Sequence, residues 1–451
     1  MRIIVATALN KGAAEYKNMG DVAMLQVAVT RLITLWPAAQ IEVLTESPSN
    51  LARYCPKTKP LPRAGCTCWV GDRILLGRYH HFLPQWGSVG LSKLKRFLGL
   101  QWPALLERLI HLRLSFRDGD GLREDFKAFL QALKNSDLLV VCGSGGFADS
   151  CREWNLSTLD TIEVALRRGI PVVMFGQGMG PLNDPVVLRR MKHVLPGVSM
   201  ITLRGSRGGV PLLQSLGIHS AGLMTTGDEA VELAYQVRPE VLGNAVGINL
   251  RVASYSETKA ETVEEVRFAL QEFARRHSVP LLPIPIAFHE YANDHQTIRR
   301  LLTGFDDDSD GGLSLDSPLP LIKQTACCRI VVTGAYHAAV FALSQGIPVV
   351  CLSNSAYYLA KFEGLRDLFG EGCAIVTLGQ PDLPGRLAAA IESAWNSAEI
   401  VRSSLLQSAL RQVEDSWGAY RRLNKLLRSE AGQAHPIVSE KTLTGSTSYT
   451  Q

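Results

Sequence analysis

The chain repeats one local pattern, in which a short run of apolar and β-branched residues precedes a stretch with apolar residues at helical spacing. In Asp21–Trp36, for example, Val22, Leu25 and Val29 lie on one face of a predicted helix. Strands that alternate with helices form right-handed βαβ units and a parallel sheet. In the first half of the chain, the predicted strands are Met1–Leu9, Ile41–Leu44, Asp137–Cys142, Pro171–Phe175 and Ser199–Leu203.

The pattern starts again after the polar stretch Tyr235–Asn244. The predicted elements there are strands Ala245–Asn249, Val279–Ile286, Arg329–Thr333 and Ile347–Leu352, and helices Ser256–His277 and Ala338–Gln345. Prolines at positions 283 and 285 are expected to break the second of these strands. With 451 residues, the chain is long enough for more than one core. We therefore predict an α/β protein with two doubly wound, Rossmann-like domains, residues 1–238 and 239–430. They would face a cleft at the carboxyl ends of the strands, where such sheets bind ligands.

Two segments depart from the pattern. A helical insertion is expected at about residues 85–130, and its part Gln85–Arg117 is both basic and apolar. This part either packs on the N-terminal sheet or forms an interfacial helix that rests on an anionic membrane. The polar end of the chain, residues 431–451, is rich in Ser and Thr and is expected to be a disordered tail.

The composition argues against several classes of protein. A net charge of +5 without a basic stripe does not suit nucleic-acid binding, and it fits an acidic small substrate or an anionic surface. An odd number of cysteines, nine, without framework spacing indicates reduced thiols and a cytoplasmic, reducing compartment. Met1–Leu9 is too short for a signal peptide, and no apolar run is long enough for a membrane span.

Metal and cofactor motifs are weak. Cys55, Cys66 and Cys68, followed by His80 and His81, lack the paired spacing of structural zinc sites. The acidic loop at residues 306–312 lacks the glutamate that closes an EF-hand loop. The run GQGMGP at residues 176–181 is not the dinucleotide fingerprint, because its third glycine comes too early. We therefore expect neither a metal nor a cofactor.

Glycine-rich segments follow two of the predicted strands. GSGG at residues 143–146 and GQGMGP at residues 176–181 could expose backbone N–H groups to an anion at a helix start. The predicted ligand contacts are Gly145, Gly146, Gln177 and Gly178. The alternative is that these turns serve strand packing only.

Two short polar motifs sit at helix starts. In NMGD at residues 18–21, Asp21 is expected to cap the first helix, and both Asn18 and Asp21 could also contact substrate at the rim of the cleft. The motif TGD at residues 226–228 is expected to be a turn and cap before a helix.

The most informative single residue is His337, which opens the helix after the strand Arg329–Thr333. A helix N-terminus facing the cleft attracts phosphate or carboxylate, and an imidazole there can donate to the anion or transfer a proton. Arg204 ends another predicted strand, where its guanidinium could bind an anion in a bidentate manner. Arg207 follows it, and Lys361 lies beyond a predicted polar loop, Ser353–Ala360.

In this order, these segments resemble the polysaccharide pyruvyl transferase family. The matching runs are NMGD (18–21), DLLVVCGSGGFAD (137–149), PVVMFGQGMGPL (171–182), ITLRGSRGGVPLLQSLGI (201–218), TTGDEA (225–230), VVTGAYHAAVFALSQGIPVVCLS (331–353) and KFEGLRDLFG (361–370). The resemblance implies a fold similar to glycosyltransferase-B. It also implies transfer of pyruvyl from phosphoenolpyruvate to a sugar hydroxyl, often with closure of a cyclic ketal. By position, Arg204, His337 and Lys361 would form the phosphoenolpyruvate site.

The chain departs from the family pattern at two positions. Where the family usually has Arg-Leu-His, this chain has Ala335-Tyr336-His337, and Gly205 replaces a common acidic residue. Arg207 is therefore a candidate for the cation that compensates for the missing arginine. Two alternatives stay open, namely a nucleotide-sugar glycosyltransferase, in which Glu363 or Asp367 would bind a ribose, and a non-catalytic member of a polysaccharide-assembly complex.

Overall fold

The structure is a computed structural model of the whole chain. It describes residues 1–7, 15–70, 90–91, 94–95, 97–98, 101–117, 120–219, 222–253, 256–258, 260–290, 292–306 and 308–433.

The first half of the chain forms an eight-stranded parallel sheet with the order β3-β2-β1-β4-β6-β7-β8, in which β5 also pairs with β6. The strands are β1 Arg2–Ala6, β2 Gln40–Thr45, β3 Lys59–Pro62, β4 Leu138–Val141, β5 Ser144–Phe147, β6 Val172–Met179, β7 Met200–Leu203 and β8 Leu223–Thr225. All five predicted strands are present, although β6 extends beyond its predicted end through the glycine-rich run.

Helices cover both faces of this sheet. They are α1 Met19–Leu35, α2 Pro48–Tyr54, α3 Arg63–Val70, α4 Pro103–Arg117, α5 Asp120–Lys134, α6 Arg152–Arg167, α7 Pro185–Val194, α8 Ser206–Ser215 and α9 Ala230–Gln236. Successive residues of β1 enter different cores, because side chains alternate across a strand: Ile3 and Val5 face one core and Ile4 the other. Both cores need apolar side chains, which explains the near-continuous hydrophobic strands. Of the predicted insertion, residues 85–89 lie outside the described residues.

The second half forms a five-stranded parallel sheet with the order β10-β9-β13-β14-β15 and a short antiparallel pair, β11 with β12. Its strands are β9 Ala245–Asn249, β10 Leu281–Pro283, β11 Phe288–His289, β12 Ala292–Asn293, β13 Cys328–Thr333, β14 Val349–Ser353 and β15 Cys373–Thr377. Its helices are α10 Ala260–His277, α11 Asp294–Leu302, α12 Pro318–Thr325, α13 Tyr336–Ser344, α14 Ala356–Phe369 and α15 Leu383–Gln433. Two Rossmann-like sheets with helices confirm the predicted fold class.

One local prediction for this half is confirmed, and one was wrong. The strand predicted for Val279–Ile286 is broken as expected and is only three residues long, because prolines at positions 283 and 285 lack the N–H that a ladder needs. The predicted loop Ser353–Ala360 is mostly helical. Ser355 caps α14 by accepting a bond from Tyr358 N at 3.3 Å, so that Lys361 lies in the second turn of a helix.

The last helix connects the two halves. α15 is 51 residues long, and its first part packs in the core of the second sheet through Leu387 and Ile391. Its later part returns to the first sheet, where Tyr420 stacks on Phe175 with 3.9 Å between the ring centroids. This helix thus packs against both sheets. The division into domains of residues 1–238 and 239–430 stays a prediction. Of the predicted tail, residues 431–433 end the helix and residues 434–451 lie outside the described residues.

None of the helices in the described ranges combines the length and the apolar character that a transmembrane span requires. The described residues also contain no group of three or more His, Cys, Asp and Glu side chains placed to hold a metal ion. Cys55 lies in a different core from Cys66 and Cys68, on the other face of the first sheet, so these three thiols do not converge. His80 and His81 lie outside the described residues.

A buried arginine holds three helices together behind the carboxyl edge of the first sheet. Arg31 of α1 is 1% exposed and pairs with Glu232 of α9, its Nε donating over 2.7 Å. Its guanidinium also lies against the rings of Trp417 and Tyr420 in α15, at 5.3 and 5.1 Å from their centroids. The second acidic neighbour is Glu229, whose Oε1 accepts a bond from Tyr420 Oη at 2.6 Å.

Glu229 is expected to make the stability of the protein depend on pH. Burial raises its pKa to about 7 from an ordinary 4.5, although Arg31 and Tyr420 oppose the shift. A raised pKa in the folded state stabilises the protein below pH ~4.5, and this contribution is lost as the pH rises through ~7. The loss is at most about 3.5 kcal/mol, since one pKa unit corresponds to about 1.4 kcal/mol.

Urea unfolding of the wild type and of Glu229→Gln at several pH values measures this contribution. Wild-type stability should fall relative to Glu229→Gln between pH 5 and pH 8. Glu414→Gln, at an exposed position of α15, serves as the control and should follow the wild type. If the difference in free energy of unfolding between the wild type and Glu229→Gln is the same at pH 5 and at pH 8, the titration of Glu229 is contradicted.

Candidate active site

A cavity of about 580 Å³ opens where the carboxyl ends of the two sheets meet. Its lining side chains follow strands of both sheets, as expected for doubly wound folds. Asn18 and Asp21 follow β1, Arg204 follows β7, His337 follows β13, and Lys361 follows β14. Gly145 and Gly146 of β5 complete the set of predicted residues that the structure brings together here.

His337 lies in the first turn of α13, directly against α1. A Cβ atom on Gly20 would come within 2.0 Å of both Cγ and Nδ1 of the imidazole, so the ring occupies the space that a side chain would need. The Nε2 atom lies 3.7 Å from Asp228 Oδ2, which is beyond hydrogen-bond range. It has no hydrogen-bond partner within the described part of the chain, and it is therefore available to a ligand.

The cap of α1 is Asn18, and the expectation that Asp21 fills this role was wrong. The Asn18 side chain accepts bonds from the backbone N–H groups of Gly20 at 3.0 Å and Asp21 at 3.3 Å. The Asp21 carboxyl group consequently lies within the first helical turn and lines the cavity. Burial raises its pKa, while the nearby His337 acts in the opposite direction.

One carboxylate joins the two halves of the cavity. Asp228, which follows β8, accepts a bond from Arg204 Nη1 at 3.2 Å with the same oxygen that faces His337. Its other oxygen accepts the backbone N–H of Ala230 at 2.9 Å, as in a helix cap. Burial alone would raise the pKa of Asp228, but His337 and Arg204 lower it to about 2. The carboxylate is therefore ionised at neutral pH.

The glycine-rich runs provide space for side chains, and they do not form the predicted anion-binding turns at helix starts. Residues 144–147 are strand β5, and residues 176–179 belong to β6. A Cβ atom on Gly145 or Gly178 would lie 2.3 or 2.4 Å from the guanidinium group of Arg204. On Gly146, it would lie 2.6 Å from the ring of Trp154. Gly145 and Gly178 therefore let the Arg204 side chain cross the sheet edge and reach the cavity.

Lys361 is surrounded by tyrosine rings. Its Nζ atom bonds to the Tyr357 hydroxyl group and lies 3.8 Å from the centroid of that ring. Tyr336 lies between the cations, with its ring centroid 5.8 Å from Lys361 Nζ and 4.3 Å from the Cζ atom of Arg204. Burial, together with the charge of Arg204, lowers the pKa of Lys361 well below its usual range. A bound anion would restore its charge.

Arg251 is a further cation of the cavity, and the sequence analysis missed it. It follows β9 as Arg204 follows β7, and this position at a strand end was the signal that could have revealed it. Both oxygens of Asp294 accept bonds from it, at 2.6 Å from Nε and 2.8 Å from Nη2. Burial, together with the charge of Arg251, lowers the pKa of the neighbouring His289 to about 4, so that this imidazole is neutral at pH 7.

Gln177 and Arg207 do not line this cavity. The Gln177 amide is buried and donates to the backbone carbonyl groups of Cys142 at 2.9 Å and Phe175 at 2.8 Å. Arg207 is exposed and forms ion pairs with Asp367 and Glu363 on α14. It lines an adjacent cavity of about 430 Å³, as does Gly178. Because these carboxylates already neutralise Arg207, the structure does not support its role as a compensating cation in the first cavity.

The arrangement is suited to a small polyanion. Arg204 follows a strand of the first sheet, whereas Arg251, His337 and Lys361 follow strands of the second, and all four side chains line one cavity. Charge-assisted hydrogen bonds from such groups are stronger than neutral ones, because the cavity walls partly exclude water. Asp228 Oδ2 lies 3.7 Å from Nε2 of His337, so that a carboxylate faces the imidazole that a bound ligand would meet.

The contact between Gly20 and His337 can be tested by substitution. Gly20→Ala should destabilise the protein by about 1–3 kcal/mol, because the new methyl group displaces the imidazole. In the background of His337→Ala, the same change should destabilise the protein less, since the ring is gone, but a loss should remain because the Cβ atom of residue 337 would still lie 2.6 Å from the new methyl group. Gly418→Ala is the matched control, because a Cβ atom there meets nothing within 4 Å, and it should be neutral or stabilise by up to ~1 kcal/mol. Urea unfolding of the wild type, the three single variants and the double variant measures these effects. If the losses of Gly20→Ala and His337→Ala add up in the double variant, the contact is contradicted.

Comparison with solved structures identifies the fold. The S. aureus MnaA–UDP complex matches with a TM-score of 0.53 and 12% identity, over 96% of this chain and 97% of that one. A UDP-N-acetylglucosamine 2-epimerase matches with a TM-score of 0.53 and 11% identity, over 98% and 99%. A ugt transferase from Siraitia grosvenorii in complex with UDP gives 0.50 and 10%, over 95% and 99%. These likenesses concern the fold, which is similar to glycosyltransferase-B.

Comparison of sequences identifies the family. Curated protein sequences give no match to the chain. The profile of the family described as polysaccharide pyruvyl transferase matches residues 18–356, a range that begins at the Asn18 cap and ends in the first turn of α14. It includes Arg204, Asp228, Arg251 and His337. The chain therefore belongs to the polysaccharide pyruvyl transferase family.

Proposed function

We propose that the protein transfers a pyruvyl group from phosphoenolpyruvate to a sugar hydroxyl of a polysaccharide or its precursor and forms a pyruvate ketal. The observation that carries this proposal is that Arg204, Arg251 and Lys361 line the same cavity as His337, whose Nε2 atom has no hydrogen-bond partner within the described residues. Phosphoenolpyruvate carries a carboxylate and a phosphate on neighbouring atoms, and it needs several cations within a few ångströms. Its enol carbon also needs a proton donor, which His337 supplies.

The chemistry can be assigned to the residues of the cavity. His337 as imidazolium gives its proton to C3 of the donor, and C2 then becomes electrophilic. A sugar hydroxyl adds to C2 and loses its proton, and the C2–O bond to phosphate breaks. A second hydroxyl of the same sugar adds to C2 and closes the ketal, and its proton returns to His337, while the proton of the first hydroxyl leaves with the phosphate, so that the products are the ketal and inorganic phosphate. Arg204 and Lys361 stabilise the charge on the leaving phosphate.

The proton released by the sugar hydroxyl requires a base. Asp21 lines the same cavity, and burial raises its pKa, which makes its carboxylate a stronger base than an ordinary aspartate. Asp228 is less suited to this role because its lowered pKa, about 2, makes it a weak base. We therefore assign proton acceptance to Asp21 and stabilisation of the imidazolium to Asp228.

The proposal divides the donor site between the two predicted domains. His337, Lys361 and Arg251 belong to residues 239–430, and Arg204 belongs to residues 1–238. Closure of the cleft would complete the anion site. The reaction places the protein in the cytoplasm, where phosphoenolpyruvate is available and where buried thiols such as those of Cys142 and Cys351 remain reduced.

Ligand-induced stabilisation tests the donor. At about 100 times its Kd, phosphoenolpyruvate should stabilise the wild type by about 2.7 kcal/mol. Lys361→Met removes a buried cation and keeps its aliphatic part, so the fold should persist while donor affinity falls at least about tenfold. Arg207→Gln removes a cation outside the cavity and should bind as the wild type does.

Thermal-shift titration measures these affinities, with uridine diphosphate and its sugars run beside phosphoenolpyruvate. Stabilisation by the uridine nucleotides alone would contradict the proposal and favour the nucleotide-sugar glycosyltransferase. If Lys361→Met and Arg207→Gln lose the same affinity for phosphoenolpyruvate, the assignment of this cavity as the donor site is contradicted. If phosphoenolpyruvate binds but no glycan releases phosphate from it, the non-catalytic alternative is favoured.

Donor affinity is also expected to depend on pH through Lys361. Because the pKa of its ammonium group is well below the usual range, the unliganded site loses this charge as the pH rises. A bound polyanion favours the charged form, so that binding takes up a proton and weakens with increasing pH. Lys361→Arg should reduce this dependence, since a guanidinium stays charged. Calorimetry in two buffers of different ionisation enthalpy measures proton uptake, and its absence in the wild type would contradict this role.

A further inference from the structure

A stripe of exposed apolar side chains runs along α4 and the residues before it. Of the fourteen large hydrophobic residues that are exposed in the described part of the chain, six lie within nineteen residues of sequence. Their exposed fractions range from 37% to 57%. We call this set the α4 stripe; its members are Leu94, Phe97, Trp102, Leu105, Leu109 and Leu112.

The stripe lies on one side of the helix. Trp102, Leu105, Leu109 and Leu112 follow the spacing of three and four residues that places side chains on one face. Phe97 extends the stripe, since its ring packs edge-on against Trp102 at 5.9 Å between centroids. The clustering is therefore spatial as well as sequential. Isolated exposed leucines are common, but a contiguous apolar face marks an interaction surface.

The helix does not need this face to pack on its own protein. A second apolar row, Leu106, Ile110 and Leu114, is buried in the core of the first sheet together with Phe126 and Phe129 of α5. One row of a helix is sufficient for docking on a globular core. The exposed row is consequently additional to the packing among the described residues, and it is free to serve as a contact surface.

The charges around the stripe indicate which partner fits. Residues 93–117 contain six basic residues and one acidic residue, Glu107. Helical periodicity places Arg108 at one edge of the stripe and Arg113 at the other. Arg108 is exposed, and Arg113 is half-buried. An apolar row with flanking arginines and an aromatic pair at one end is the pattern of a helix that lies in the plane of a lipid interface.

We propose that the α4 stripe docks the protein on an anionic lipid surface. The leucine side chains enter the boundary between headgroups and acyl chains, while Trp102 remains at the level of the headgroups. Arg108 and Arg113 contact the anionic headgroups, each contributing to an attraction that falls off with salt. This proposal is independent of the assigned reaction, because none of the stripe residues lines the cavity that holds His337.

Co-sedimentation of the full chain with vesicles tests the proposal. The wild type should bind vesicles of phosphatidylcholine with phosphatidylglycerol more tightly than vesicles of phosphatidylcholine alone, and this preference should weaken at high salt. The triple variant Leu105→Gln, Leu109→Gln, Leu112→Gln should lose at least about tenfold in its partition coefficient. Arg108→Gln should reduce the preference for anionic vesicles and the salt dependence.

The matched control replaces three equally large exposed side chains elsewhere, as Val241→Gln, Phe268→Gln, Ile400→Gln. This variant should bind vesicles as the wild type does, and both triple variants should keep the wild-type unfolding midpoint because the substituted side chains are exposed. Wild-type protein that stays in the supernatant with anionic vesicles overturns the proposal. So does light scattering that shows a wild-type dimer and a monomeric stripe variant, with equal vesicle binding, since the stripe would then join two copies of the chain.

Discussion

The candidate site depends on the contacts of the Asp228 carboxylate with Arg204 and His337. This carboxylate lies at the end of the first sheet, and it meets Arg204 from that sheet and His337 from the second. The guanidinium of Arg204 alone would be difficult to hold in a buried cavity, because burial disfavours charge. With the carboxylate between Arg204 and His337, both can remain close to the substrate, and the net charge of the cavity stays positive enough for an anion.

The same principle extends to the other cations of the cavity, each of which has a different form of compensation. Arg251 has a carboxylate of its own in Asp294, which also accepts the backbone N–H groups of residues 286 and 287 at 2.8 and 2.9 Å. Lys361 is surrounded by tyrosine rings and a tyrosine hydroxyl group, so that its charged form is the least stabilised of the three. The site therefore contains two fixed cations and one whose charge responds to the ligand.

Much of this arrangement could be predicted from sequence, because it depends on strand ends. The alternation of strands and helices predicts two parallel sheets, and the residues that follow their strands, Arg204 and His337, meet as expected. The roles of the glycines could not be predicted, since a missing side chain is explained only by the group that fills its space. Arg251 was missed for a similar reason: its partner Asp294 lies 43 residues away, and no local pattern connects them.

The long final helix has a consequence for how the chain acquires its structure during synthesis. The core behind the first sheet includes residues from Ile3 to Leu423, so its last members are made after both sheets. Until then, the face of Phe175 that Tyr420 covers has no neighbour, and Arg31 lacks its aromatic contacts. N-terminal domains usually complete their folding first as a chain leaves the ribosome. Here the core of the first sheet is complete only after Tyr420 and Leu423 have been made, so that a chain truncated just after β15 would contain both sheets and lack part of its first core.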